Sequence, residues 1–97
     1  MMLLEHNPTG LTLNDASTMT VFPAGDLTIQ GNTTAGLVAD NRSTVRMTNG
    51  GTITGNGTDV VMLFGSVGTF NGNTIGTITC DETVLLRGDT GVTCPAP

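Results

Sequence analysis

Tryptophan and tyrosine are absent from this chain, and phenylalanine occurs only three times. Small domains commonly take much of their core volume from aromatic rings, so a core here has to be built from aliphatic side chains. Charge is scarce as well, at 11% of residues, and lysine is missing: the three cations are Arg42, Arg46 and Arg87. With a formal net charge of −5, no basic surface exists to neutralise a row of phosphates, which excludes nucleic acid as the expected partner. Attraction to an anionic membrane surface is excluded on the same ground. Long apolar runs are lacking too. The stretch Met1-Met2-Leu3-Leu4 is shorter than a signal peptide or a membrane span and has no cationic flank. The expectation is a chain without an export signal, or part of a longer protein of extracellular or periplasmic origin. Cysteine is limited to Cys80 and Cys94. Together with one distant histidine, His6, they match no zinc-ligand spacing, and no metal or cofactor is expected. The two thiols are either paired or reduced in the core, and the disulfide is the favoured reading.

What is present points to short strands and tight turns. Hydrophobic residues make up 37% of the sequence, enough to argue against disorder, and they stand among 14 glycines and many Thr and Asn. Ninety-seven residues allow one domain. No stretch carries a helical period, whereas several short runs alternate apolar with polar or small residues, as a strand with one buried face does.

These runs repeat. Leu27-Thr28-Ile29-Gln30-Gly31 returns as Gly51-Thr52-Ile53-Thr54-Gly55 and again as Gly76-Thr77-Ile78-Thr79-Cys80. The period is roughly 24 residues, within the range of solenoid repeats. A second series runs through Leu11, Leu37, Val61 and Leu85. A third runs through Thr18–Val21, Thr44–Met47, Val67–Phe70 and Gly91–Cys94. Turn-forming residues separate the runs: Asn14-Asp15, residues 22–26, Asp40-Asn41, Asn49-Gly50 and Asn71-Gly72-Asn73. Three short strands per period describe one coil of a solenoid, whose inner face is buried only when coils stack. The expected fold is all-β: a short right-handed parallel β-helix of about four coils over residues 10–94, with an apolar segment at 1–9 and a tail at 95–97. Like residues should stack, Ile29 on Ile53 on Ile78 and Leu37 on Val61 on Leu85, with Asn32 and Asn56 forming an amide ladder in a turn. An antiparallel sandwich and an intertwined fibre segment are the competing architectures.

The runs Leu27-Thr28-Ile29-Gln30-Gly31-Asn32 and Thr52-Ile53-Thr54-Gly55-Asn56 resemble the coils of right-handed β-helix proteins of the pectin-lyase-like kind. The resemblance implies an architecture and leaves function open, because binding proteins, adhesins and enzymes share such coils.

Candidate chemistry is thin. Enzymes of the resembled architecture carry clustered Asp with Arg, Lys or His on an outer face, and the nearest approach here is Asp15, Asp40, Asp59 and Arg42. Two neighbouring carboxylates would suit acid–base work on a sugar or hold Ca²⁺, but Asp beside Asn or Gly is ordinary turn chemistry. No catalytic residue is assigned. Arg42 and Arg46 would suit an anionic sugar or a partner's carboxylates, although pairing with Asp40 and Asp15 is the simpler expectation. If Ile29, Ile53 and Ile78 point inward, then Thr28, Thr52, Thr77 and Thr54, Thr79 form a flat outer array. That array resembles the Thr-x-Thr faces of ice-binding solenoids, while Thr is also the ordinary solvent-side strand residue. Three glycosylation triplets, at Asn32, Asn41 and Asn56, carry no weight in so Asn- and Thr-rich a chain.

Solenoid ends expose strand edges and an apolar floor. The apolar residues Met1, Met2, Leu3 and Leu4 at one end, and a fourth coil expected to lack its third strand at the other, suggest a homo-oligomer, dimer or trimer. The favoured expectation is a non-enzymatic structural or interaction module, followed by a carbohydrate-binding or -degrading protein and then an ice-binding one.

Overall fold

In the computed structural model, which describes residues 2–21 and 27–88, every strand pairs in parallel with the strand one turn away in sequence. The strands are β1 (Met2–Glu5), β2 (Thr9–Leu13), β3 (Thr18–Val21), β4 (Leu27–Gln30), β5 (Ala35–Ala39) and β6 (Thr44–Thr48). They continue with β7 (Thr52–Thr54), β8 (Thr58–Met62), β9 (Val67–Asn71), β10 (Thr74–Ile75), β11 (Ile78–Cys80) and β12 (Leu85–Gly88). Three four-stranded sheets result: β1-β4-β7-β10, β2-β5-β8-β11 and β3-β6-β9-β12. Among the described residues there is no helix. The chain is therefore an all-β parallel solenoid with three strands per turn. It makes about three turns rather than four coils, since four rungs enclose three steps.

Alternation along each strand fills the column. Leu27, Ile29 and Ile53 of the first sheet meet Leu13, Leu37, Ala39, Val60 and Met62 of the second and Val45, Met47 and Phe70 of the third, all buried. Phe70 is the one buried aromatic among the described residues, and its ring occupies space left by Gly68. A Cβ at Gly68 would lie 2.7 Å from both the Phe70 ring and the Met62 sulfur.

The last turn corrects the expected register. Ile75, not Ile78, stacks on Ile53. Ile78 pairs with Val60, the residue in line with Leu37. Leu85 pairs with Val67 in the third sheet rather than with Val61. That sheet ends in β12, so the last rung does have its third strand. Met1, residues 22–26, Cys94 and the tail 95–97 lie outside the described residues, as does the Gly91–Cys94 run.

The cause is a shrinking turn. Glu5 and Gln30, partners across the first step, are 25 residues apart. Asn32 and Asn56, partners across the next, are 24 residues apart. Asp59 and Thr77, which meet across the last, are only 18 residues apart. The pairs Val60 with Ile78 and Val67 with Leu85 keep that shorter step. Part of the shortening falls on the corner between the first and second sheets, which holds residues 31–34, then 55–57, then only 76 and 77. The first sheet also contributes, because β10 is a two-residue strand where β4 has four. The corner between the second and third sheets keeps its length throughout, at 14–17, 40–43, 63–66 and 81–84.

Candidate functional site

At the first-to-second-sheet corner, Gly31 and Gly55 take left-handed φ of 67° and 69° and are followed by Asn32 and Asn56. The two amides form the expected ladder. Asn32 Nδ2 donates to Asn56 Oδ1 at 2.8 Å and to the Leu4 carbonyl at 3.1 Å, while the Asn7 amide N–H donates to Asn32 Oδ1. Asn56 Nδ2 donates to the Ile29 carbonyl and to Asp59 Oδ1, the latter at 2.9 Å. There the ladder stops, because the next corner is too short to hold another asparagine. Asp59 fills the place: its Oδ1 also accepts from Asn56 N, and its Oδ2 accepts from Thr77 N at 2.8 Å and from the Thr77 hydroxyl. Asp59 is buried, and both oxygens of this candidate carboxylate are engaged in hydrogen bonds at the corner. Asn73 closes the corner between the third and first sheets in a similar way, accepting from Gly51 N and donating to the Met47 carbonyl.

The constant corner has a different chemistry. Its middle residues are consecutively left-handed: Asp15 and Ala16 (54° and 63°), Asn41 and Arg42 (52° and 62°), Phe64 and Gly65 (50° and 75°). For non-glycine residues this conformation costs about 1–2 kcal/mol each. It is offset by backbone hydrogen bonds between rungs, Ala16 N–H donating to Asn41 O at 2.9 Å and Arg42 N–H to Phe64 O at 2.8 Å. A serine follows each pair, and its hydroxyl donates to the carbonyl three residues back: Ser17 to Asn14, Ser43 to Asp40, Ser66 to Leu63. Ser43 and Ser66 are fully buried. Sequence reasoning missed this serine column, although each serine immediately precedes a member of the stacked set Thr18, Thr44 and Val67. In the last rung side chains replace peptide acceptors, Asp81 Oδ2 receiving Phe64 N and Thr83 Oγ1 receiving Gly65 N. The bond from Phe64 N, with those from the Thr83 hydroxyl and amide, holds the Asp81 carboxyl below the usual carboxylate range.

The outer surface of this corner is a shallow groove lined by Asp15, Asn41, Arg42, Phe64 and Thr83. Asp40 and Asp15 occupy adjacent rungs bridged by Asn41, whose backbone N–H donates to Asp40 and whose side chain donates to Asp15. The expected pairing of arginines with these aspartates is not formed: no arginine lies within ion-pair distance of a carboxylate among the described residues, where the one such contact is His6 Nδ1 with Glu5 Oε1 at 3.9 Å. The reason is local, since Arg42 sits in the left-handed corner and not on a strand with Arg46. No group of three or more His, Cys, Asp or Glu side chains that could hold a metal occurs among the described residues.

Phe64 is 59% exposed, at a φ that suits Asn or Gly far better than an aromatic. Replacing Phe64 with Asn is expected to raise stability by about 1 kcal/mol, measurable as a higher urea midpoint at unchanged m-value. A lower midpoint would show that the ring stabilises the corner.

The threonine array is not assembled as expected. Thr28 and Thr52 stack, but the third member is Thr74. Thr77 lies at the corner against Asp59, Thr79 pairs with Val61 on the second sheet, and Thr54 stands beside Gln30. Cys80 is buried and disulfide-bonded. Comparison with protein-family models, characterised proteins and solved structures finds no match for this chain.

Proposed function

We propose that the chain is a non-enzymatic interaction module that self-associates as a dimer or trimer through its N-terminal rung. The observation behind this reading is β1. It pairs with β4 on one side, and no described strand pairs its other edge. Met2 and Leu3 on it are 58% and 41% exposed, and Leu4, Leu11 and Met19 below the core are only partly buried. An apolar strand with an open hydrogen-bonding edge is a template for pairing with another chain. Light scattering of the wild type is expected to give a discrete dimer or trimer, with and without reductant, and the Met2→Ser/Leu3→Ser double variant a monomer. An unchanged mass in the variant overturns the reading.

A second reading, carbohydrate binding, is favoured by the exposed Phe64 ring beside Asp15, Asn41 and Arg42, since an apolar ring face with planar polar groups suits a sugar. The coil likeness to pectin-lyase-like proteins fits it at the level of architecture and gives no residue a catalytic role. A glycan screen in which Asp40→Asn and Phe64→Asn abolish binding supports it, and binding indifferent to both variants removes it.

A further inference from the structure

We infer that the outer face of the third sheet is a docking surface for an acidic amphipathic segment of a partner protein. The inference rests on the interaction-module reading and names the chemistry of a partner for it. Two columns form this face: Thr18, Thr44, Val67 and Leu85, and beside them Thr20, Arg46, Thr69 and Arg87. In a chain of net charge −5 with three cations, two stand in one column and the third, Arg42, stands at the corner leading into the same sheet. None of the three forms an ion pair among the described residues, and no described carboxylate lies on either column. Guanidinium groups without an ion-pair partner on an acidic protein select an anion, preferably a carboxylate they can hold through two hydrogen bonds.

The apolar column selects the kind of anion. Leu85 is 46% exposed, and with Val67 it forms an apolar strip directly beside Arg87 and Thr69. A partner must bring apolar groups between its charges, which a polypeptide does and a hydroxyl-rich glycan or a nucleic acid does not. Neither column offers the aromatic platform that bases or sugar rings stack on. Arg46 and Arg87 are two strand steps apart, roughly 9.6 Å. Glutamates at positions i and i+7 of an α-helix stand on one stripe about 10.5 Å apart, with positions i+3 and i+4 between them. A helix lying along the solenoid axis therefore sets two carboxylates on Arg46 and Arg87 and one or two leucines on Val67 and Leu85.

The test is titration calorimetry of the whole chain with a synthetic helical peptide carrying Glu at i and i+7 and Leu at i+3 and i+4. The controls are the same peptide with Gln for Glu, and an isomer with the glutamates moved to the face opposite the leucines. Binding of the first peptide is expected to weaken as salt rises and to weaken about tenfold or more in the Arg46→Gln/Arg87→Gln variant. Both control peptides should bind about tenfold more weakly than the first. Equal binding of the isomer, indifference to the arginine variant, or no binding at low ionic strength each overturns the inference. Both arginines are exposed and lie away from β1, so the variant should keep the wild-type mass in light scattering. Failure of the self-association reading would show in that mass and not in the titration.

Discussion

Replacing Asp59 with Ala is expected to destabilise the protein by about 3 kcal/mol or more. Four hydrogen bonds are lost at once, those from Asn56 N and Nδ2 on one rung and from Thr77 N and Oγ1 on the next, and Asn56 Nδ2 keeps only its carbonyl acceptors. The site is buried, so water reaches these groups poorly, and an unsatisfied buried donor costs more than the bond it once made contributed. The loss should also concentrate at the end of the column, because Asp59 joins the asparagine ladder to the shortened last turn at that corner. Asp59→Asn keeps an oxygen for Asn56 but turns an NH₂ toward the Thr77 N–H, and about half the loss is expected. Urea unfolding of the two variants checks the order. Equal stability of Asp59→Ala and wild type would mean that the last turn is held by other means.

The second large effect is expected at Gly36. A Cβ there would lie 2.6 Å from Asn56 Nδ2 and 2.6 Å from the Asp59 carbonyl oxygen. The first neighbour is locked in the ladder and the second is backbone, so neither yields cheaply. Gly36→Ala should cost about 2–3 kcal/mol. Gly55→Ala is the matched control. It also adds one methyl, at the corner itself whereas Gly36 lies just inside β5, but its Cβ meets nothing within 4 Å, and only the left-handed φ of 69° opposes it. About 1 kcal/mol is expected there. If Gly36→Ala costs no more than Gly55→Ala, close packing against the ladder does not limit this position.

These corners also explain what the sequence made legible. Ile29 over Ile53 and Asn32 over Asn56 were readable because the first turns keep nearly constant length, so identical letters fall on identical positions. The last turn broke that rule. Gly51-Thr52-Ile53-Thr54 and Gly76-Thr77-Ile78-Thr79 look like copies, yet Thr77 is pinned to Asp59 only 18 residues away, which carries Ile78 past the first sheet onto the second. No pattern of apolar residues reveals a corner that has lost its asparagine and borrowed an aspartate from the rung before. The serine column stayed hidden for another reason: serine among Asn, Asp and Thr reads as solvent-facing, and its burial follows only from the left-handed pair preceding it. The expected pairing of Arg42 with the aspartates failed because it assumed an extended backbone where the chain bends.

The chain is a parallel solenoid whose last turn is shorter than those before it and is closed by side chains at its corners, and this register decides which methyl groups meet. Methyl–methyl nuclear Overhauser contacts in a selectively labelled sample test it most directly. Contacts of Ile53 with Ile75 and of Val60 with Ile78 are expected. Contacts of Ile53 with Ile78 and of Val61 with Leu85 in their place would contradict it, and would restore a constant period along the whole column.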